Sequence, residues 1–288
     1  MRPGAVMQFT IESDEGIPIR GDLHIGERPR ALVVIVHGFK GFKDWGFFPW
    51  LAGELAGHRL VVCRFNMSRN GIGDDPETFG RLDLFADDTY SIELADLRAV
   101  VRYAQERFPS LPTFLVGHSR GGGVALLGAE EVPRLEGVVA LSPIARVDRW
   151  DEETIREWRR KGTLDVVNQR TQQVMRMSPA VLDDFERNAE RLDILSAVTR
   201  LQVPLLVVHG DRDESVPSDE GRLIVSRAGD ASLAIIGNAS HTFNAIHPLI
   251  HVPVELSLAA ELTAHFVTSY AGTESVRRFR NGENVASG

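Results

Sequence analysis

Two kinds of hydrophobic spacing alternate along the chain. Residues 6–13 and 17–25 alternate apolar and polar positions around Asp14-Glu15-Gly16, which predicts a hairpin with one wet face. After residue 30 the spacing changes. Residues 31–37, 60–65, 113–117, 138–141 and 205–209 are short, unbroken apolar runs rich in Val, Leu and Ile. Such runs suit strands covered on both faces, as in a parallel sheet between helix layers. A last strand is expected at 232–236.

Helical spacing fills the gaps at 45–56, 84–108, 121–131 and 254–270, the last entered through Pro253. Strand and helix alternate, so the fold class is α/β: a doubly wound, mostly parallel sheet with an antiparallel hairpin at its edge. One stretch breaks the rhythm. From 143 to 200 the pattern is charged and amphipathic, with helices expected at 148–160, 164–177 and 178–195. No ordinary strand-to-helix connection is that long. The reading is therefore a core of 1–142 and 201–271, a helical cap of 143–200, and a polar C-terminal tail of 272–288, flexible or partner-binding.

Composition narrows the function. The 288 residues hold 32 Lys and Arg against 40 Asp and Glu, a net charge of −8. That sign repels phosphate backbones, and the longest basic run, Arg159-Arg160-Lys161, lies among acids, so nucleic acid is not an expected partner. The charge favours solubility and leaves a homodimer open. No apolar run is long enough to span a bilayer and residues 1–10 lack a signal-peptide core, which predicts a cytoplasmic protein without a membrane partner. The single cysteine, Cys63, lies in an apolar run and reads as a buried small hydrophobe.

The chemistry is carried by three loops. Gly117-His118-Ser119-Arg120-Gly121-Gly122 follows the third buried run and precedes a small-residue helix. A serine on a sharp strand-to-helix turn needs glycine on both sides, because the neighbouring chain leaves no space for Cβ. Ser119 is the candidate nucleophile. A serine hydroxyl needs a base, and the base needs orienting. Asp213, two residues beyond its competitor Asp211 in the loop after 205–209, is the candidate acid, and His241 in the loop after 232–236 is the candidate base. The order Ser, Asp, His is the one this kind of fold uses.

Negative charge on a substrate oxygen needs preorganised donors. The backbone N–H groups of Arg120 and of Phe39, in His37-Gly38-Phe39-Lys40-Gly41, are the candidates. The other histidines have structural readings. His37 and His209 should bond loop backbone, His118 should pack, and His24, His58 and His265 look peripheral. His247 and His251 have helical metal-ligand spacing, but prolines surround them and no third ligand is near, so no metal site is assigned.

These motifs, in this order over about residues 6–270, resemble the α/β-hydrolase superfamily. His37-Gly38-Phe39, the serine turn, His209-Gly210 with Asp213 and Val216-Pro217, and Ser240-His241-Thr242-Phe243 look most like its feruloyl/cinnamoyl-esterase-like branch, related to dienelactone hydrolases. The resemblance implies a serine carboxylester hydrolase that works without a cofactor on a small-molecule ester, with a small acyl group and an aromatic, cinnamoyl-type acid among the candidates. It also implies a helical insertion where 143–200 falls. Trp150, Trp158, Val174 and Met175 are the cap residues that would line an acyl pocket, with cap packing as their other reading. The charged side chain of Arg120 is a candidate for drawing an acidic or polar leaving group. Alternatives are an amide hydrolase of the serine-aminopeptidase kind, and a ligand-binding receptor that keeps the three groups but turns over slowly.

Overall fold

A computed structural model describes residues 5–271, so the tail expected at 272–288 lies outside the described residues. The hairpin forms as β1 (Ala5–Glu12) and β2 (Pro18–Ile25), closed by Gly16 at φ +73°. β2 is largely buried on both faces, and its far edge pairs with β4 (Leu60–Phe65). Its polar residues are consequently paired. Asp22 takes ion pairs from Lys43 and Arg64 at 2.8 Å each. His24, expected at the periphery, is buried and accepts a hydrogen bond from Arg64 Nε at 3.0 Å.

The unbroken apolar runs become β3 (Ala31–Val36), β4, β5 (Thr113–His118) and β6 (Leu135–Leu141). A separate two-stranded hairpin, β7 (Leu164–Val167) and β8 (Val174–Met177), precedes the last two strands of the sheet, β9 (Leu205–Gly210) and β10 (Ala231–Ile236). The sheet has eight strands in the order β1-β2-β4-β3-β5-β6-β9-β10, parallel from β4 onward. Every residue of β3, β4, β5 and β9 is buried. That accounts for their lack of alternation, since both faces are covered.

On one face α1 (Phe48–Gly57) and α9 (Val254–Tyr270) pack over Val33, Val62, Val116 and Val208. On the other face α3 (Tyr90–Arg107) and α4 (Arg120–Gly128) pack over Val34, Cys63, Leu115 and Ala140. The expected helix 84–108 is two helices, α2 (Leu82–Ala86) and α3, divided where Thr89 caps α3 by accepting from Ile92 N. Pro49 sits in the first turn of α1, so that helix starts at Phe48 and not at Trp45.

Between β6 and β9 the largest correction appears. α5 (Glu152–Lys161) is capped by Asp151 and ended by Gly162 at φ +72°, close to expectation. Residues 164–177 are not a helix. They form an antiparallel hairpin, β7 (Leu164–Val167) and β8 (Val174–Met177), with Val166 opposite Met175. Asn168 starts the turn, its side chain accepting from Arg170 N at 3.0 Å. The alternation that marks a strand was present, with Leu164, Val166, Met175 and Met177 turned inward and Asp165 and Arg176 outward.

The expected helix 178–195 likewise divides into α6 (Ala180–Arg187) and α7 (Ile194–Arg200), the latter capped by Asp193. α7 returns to the main core through Ile194, Ala197 and Val198, and α8 (Ser218–Arg227) joins it through Ile224. The hairpin and α5 build a second core with Phe42, Phe79, Phe85, Val181 and Leu182, around Trp158. The Trp158 indole is 1% exposed and donates to Met177 O at 3.0 Å.

Two stability predictions follow from this packing. Trp158→Ala should cost about 3–5 kcal/mol, as deletion of a large buried aromatic does, measured by urea unfolding. The second concerns Asp96 on α3, which is buried and accepts from Ser68 N at 2.7 Å. Burial, with Glu93 nearby, pushes its carboxyl up to about 7. A folded-state value above the unfolded one, about 3.9, means that the folded protein holds the extra proton between them. Stability therefore falls as pH rises through about 4 to 7. Asp96→Asn should lose less stability between pH 5 and pH 8 than the parent does, by a few kcal/mol at most, since each pH unit of the window carries about 1.4 kcal/mol. Equal losses in parent and variant would contradict the assignment.

Candidate active site

Ser119 sits where β5 turns into α4, with φ +57° and ψ −123°. That backbone is strained for a residue with a side chain, and it persists because the surroundings dictate it. A Cβ on Gly117 would lie 2.2 Å from Gly121 O, and one on Gly121 would lie 2.3 Å from both Val36 O and His37 O. The turn is thus pressed against the end of β3 with only backbone between. As a result the loop after β3 runs beside the serine: a Cβ on Gly38 would lie 3.1 Å from Ser119 Cβ.

Three side chains converge. Ser119 Oγ is 2.9 Å from His241 Nε2, and His241 Nδ1 is 2.8 Å from Asp213 Oδ2. With a proton on Nδ1 donated to the carboxylate, Nε2 is free to accept from the serine hydroxyl. Asp213, buried, is the acid in contact with His241, whereas Asp211 is exposed at the strand end. Asp213 Oδ1 accepts from Ser215 N at 2.9 Å and Val216 N at 2.8 Å. Burial acts to raise this carboxyl, but hydrogen bonds from His209, His241 and Val216 N outweigh it and hold it well below the usual carboxylate range. Asp213 therefore stays ionised wherever the histidine can act as a base.

Three further histidines support the arrangement. His37 Nδ1 donates to Gly38 O at 3.0 Å and its Nε2 accepts from Met67 N at 3.1 Å, tying down the loop that carries Phe39. Burial brings His37 down to about 4, so it is neutral. His118 Nε2 donates to His241 O at 2.9 Å, and burial with the His241 ring alongside lowers it to about 3. His209 Nε2 lies 2.8 Å from Val216 O and 3.3 Å from Asp213 Oδ2, so it braces the acid. Sequence reading anticipated backbone bonds for His37 and His209. The contact of His209 with Asp213 follows from a three-dimensional turn and had no sequence signal beyond i,i+4 spacing.

The remaining expectations divide. Phe39 follows Gly38, which lies beside Ser119, and Arg120 follows Ser119 as the first residue of α4. The Arg120 side chain is not available to a leaving group. It is 5% exposed and paired with Glu93 at 3.0 Å. Of the four cap residues, Trp158 and Met175 are fully buried in the second core, and Trp150 packs edge-on against Trp158 at 5.1 Å. Val174 is 46% exposed on the outer side of the hairpin, because successive strand residues face opposite ways. Trp158 and Met175 have no surface left to offer a ligand; the cap packing noted as their other reading describes both, and Trp150 joins it through its contact with Trp158. His247 is occupied as well, accepting from Gly46 N at Nδ1 and meeting Glu77 at Nε2, both at 2.8 Å.

Human monoglyceride lipase is 24% identical over 241 residues, covering 75% of this chain and 77% of that protein. The monoacylglycerol lipase of Mycolicibacterium smegmatis is 24% identical over 232 residues, covering 69% and 76%. Among solved structures, Est1E from Butyrivibrio proteoclasticus with bound ferulic acid superposes with a TM-score of 0.71 at 23% identity, over 91% of this chain and 98% of that one. Dienelactone hydrolase from Anabaena variabilis gives 0.63 at 17% identity, over 94% and 100%. The family model for serine aminopeptidase S33 matches residues 27–193, more than half of the chain and including the serine turn. The chain thus belongs to the serine aminopeptidase S33 family, and it is a serine hydrolase of the α/β-hydrolase superfamily.

Proposed function

We propose that the protein hydrolyses small carboxylic esters through an acyl-enzyme on Ser119. The observation that carries this reading is the unbroken chain of two contacts, 2.9 Å and 2.8 Å, from Ser119 Oγ through His241 to Asp213. His241 Nε2 takes the hydroxyl proton as Oγ bonds to the ester carbon, and the carbonyl π pair moves onto oxygen. The backbone N–H groups of Phe39 and Arg120 receive that oxyanion, and the N-terminus of α4 adds its dipole. Collapse breaks the carbon–oxygen bond to the alcohol, which leaves with the proton from His241. Water then repeats the attack on the acyl-enzyme, again giving its proton to His241. The acid departs and Ser119 Oγ recovers that proton.

An ester substrate is favoured because the matched relatives that cover about three quarters of this chain are named for acylglycerol hydrolysis. A glycerol monoester is therefore the first substrate to try, with an aromatic acyl ester second, on the fold likeness to the ferulate-bound esterase. Residues 143–200 act in this reading as a cap beside the site, reached through Lys40 Nζ donating to Val167 O at 3.1 Å. Amide hydrolysis is the second reading, supported by the family description. The same three groups serve both, and the nucleophile, base and acid do not discriminate between them.

Ser119→Ala should lower ester turnover by about 10⁴-fold or more with folding intact, read as kcat on a p-nitrophenyl ester beside circular dichroism. Monoacylglycerol turnover well above that of aminoacyl anilides supports the ester reading; the opposite ranking replaces it with the amide one. Tight ligand binding with negligible turnover of either would make the protein a receptor. Among the acids, Asp213→Asn should cost about 10³- to 10⁴-fold in kcat through the wrong imidazole tautomer. Asp211→Asn, at an exposed position, should change kcat by no more than about threefold.

A further inference from the structure

The residue after the nucleophile carries a buried cation, which needs a reason. Arg120 stands at the first position of α4, where the helix dipole already presents positive potential, so a guanidinium there is unfavourable unless compensated. Compensation comes from α3: Glu93 accepts from Arg120 Nε at 3.0 Å, and both side chains are about 5% exposed. Arg120 Nη2 also donates to Asp88 O at 3.3 Å. Burial raises the carboxyls of both Asp88 and Glu93, Asp88 well above the ordinary range, and the Arg120 guanidinium opposes the rise at each. Glu93, in direct contact, offsets the guanidinium charge. Buried pairs of this kind seldom stabilise more than apolar residues of the same volume would.

What the side chain does touch is informative. Its guanidinium carbon lies 4.0 Å from the centroid of the Tyr90 ring and 5.5 Å from that of Phe39. Phe39 is held on two other sides, by Lys40 Nζ at 5.6 Å and the Phe85 ring at 5.5 Å. One residue therefore contributes an N–H to the oxyanion site and, through its side chain, also contacts the residue that contributes the other. These two donors come from different loops, after β3 and after β5, whose backbones meet at Gly38 and Gly121, and the Arg120–Phe39 contact is a side-chain link between the same two loops.

We propose that the Arg120 side chain, fixed by Glu93, is a positioning residue that sets the distance between the Phe39 and Arg120 N–H groups. This rests on the assignment of those two N–H groups above. Arg120→Met keeps the N–H and the side-chain length but removes the pair and the cation–ring contact. It should lower kcat by about 10- to 100-fold, a fraction of the effect of losing a donor outright, while KM stays within about threefold, as expected when only transition-state contacts are affected. Affinity for a trifluoromethyl ketone, which forms a tetrahedral adduct on the serine, should fall by the same factor as kcat. Arg120→Lys should recover part of kcat. Glu93→Gln should reproduce the loss, and the double variant should lose no more than the worse single one.

Where Arg120→Met does not fold, Phe39→Leu serves. It keeps the N–H, removes the ring, and alters a half-buried residue; it should show the same split between kcat and KM. A kcat within twofold of the parent in the folded variants, with only thermal stability changed, would overturn the proposal and leave Arg120 a packing residue. Ser119→Ala distinguishes the two failures: if it is inactive while Arg120→Met is fully active, only the positioning role is wrong. If Ser119→Ala still turns over ester, the reading of the site itself is wrong.

Discussion

Everything at the site depends on how closely backbone approaches backbone where β5 meets α4. Gly121 lies so near the carbonyls of Val36 and His37 that a methyl group would overlap both at 2.3 Å. That contact forces the serine between the two glycines into positive φ and lifts its hydroxyl out of the sheet. It also brings the end of β3 beside the end of β5. The same constraint therefore supplies the nucleophile and delivers the loop bearing Phe39. The strain is local, and it is held by two glycines and a parallel pair of strands buried on both faces.

Charge is handled around this point by pairing. The loop from Gly38 to Trp45 is anchored by Lys43, which joins Asp22 and Asp44, and by Arg64, which reaches Asp22, Asp44 and Lys43 O. His37 closes the loop's other end as a neutral imidazole. The acid side uses the reverse arrangement. Asp213 is kept charged by four converging donors, so the imidazole it orients meets a fixed negative partner. Neutral histidines hold backbone, and the ionised carboxylate holds the one histidine that must change its proton.

The cap region was the hardest to read. Residues 164–177 place apolar side chains at spacings that satisfy a helix and also a pair of short strands, and a helix was expected. Packing decided otherwise. Only as a hairpin can Leu164, Val166, Met175 and Met177 all face Trp158 and the loops at Phe42 and Phe79, while Asn168 closes the turn. The same placement removed Trp158 and Met175 from the pocket wall. Arg120 was misread for a related reason: its charge was visible, but the acid that neutralises it lies 27 residues earlier on another helix.

The sequence by itself determined the buried strands, the strained serine turn and the order of nucleophile, acid and base, because these depend on short-range spacing and on glycines that nothing can replace. Only the tertiary structure decided which acid reaches His241, what Arg120 and the cap aromatics do, and how the insertion folds. Those outcomes turn on contacts between residues distant in the chain, where several local patterns cost nearly the same and the partner settles the choice.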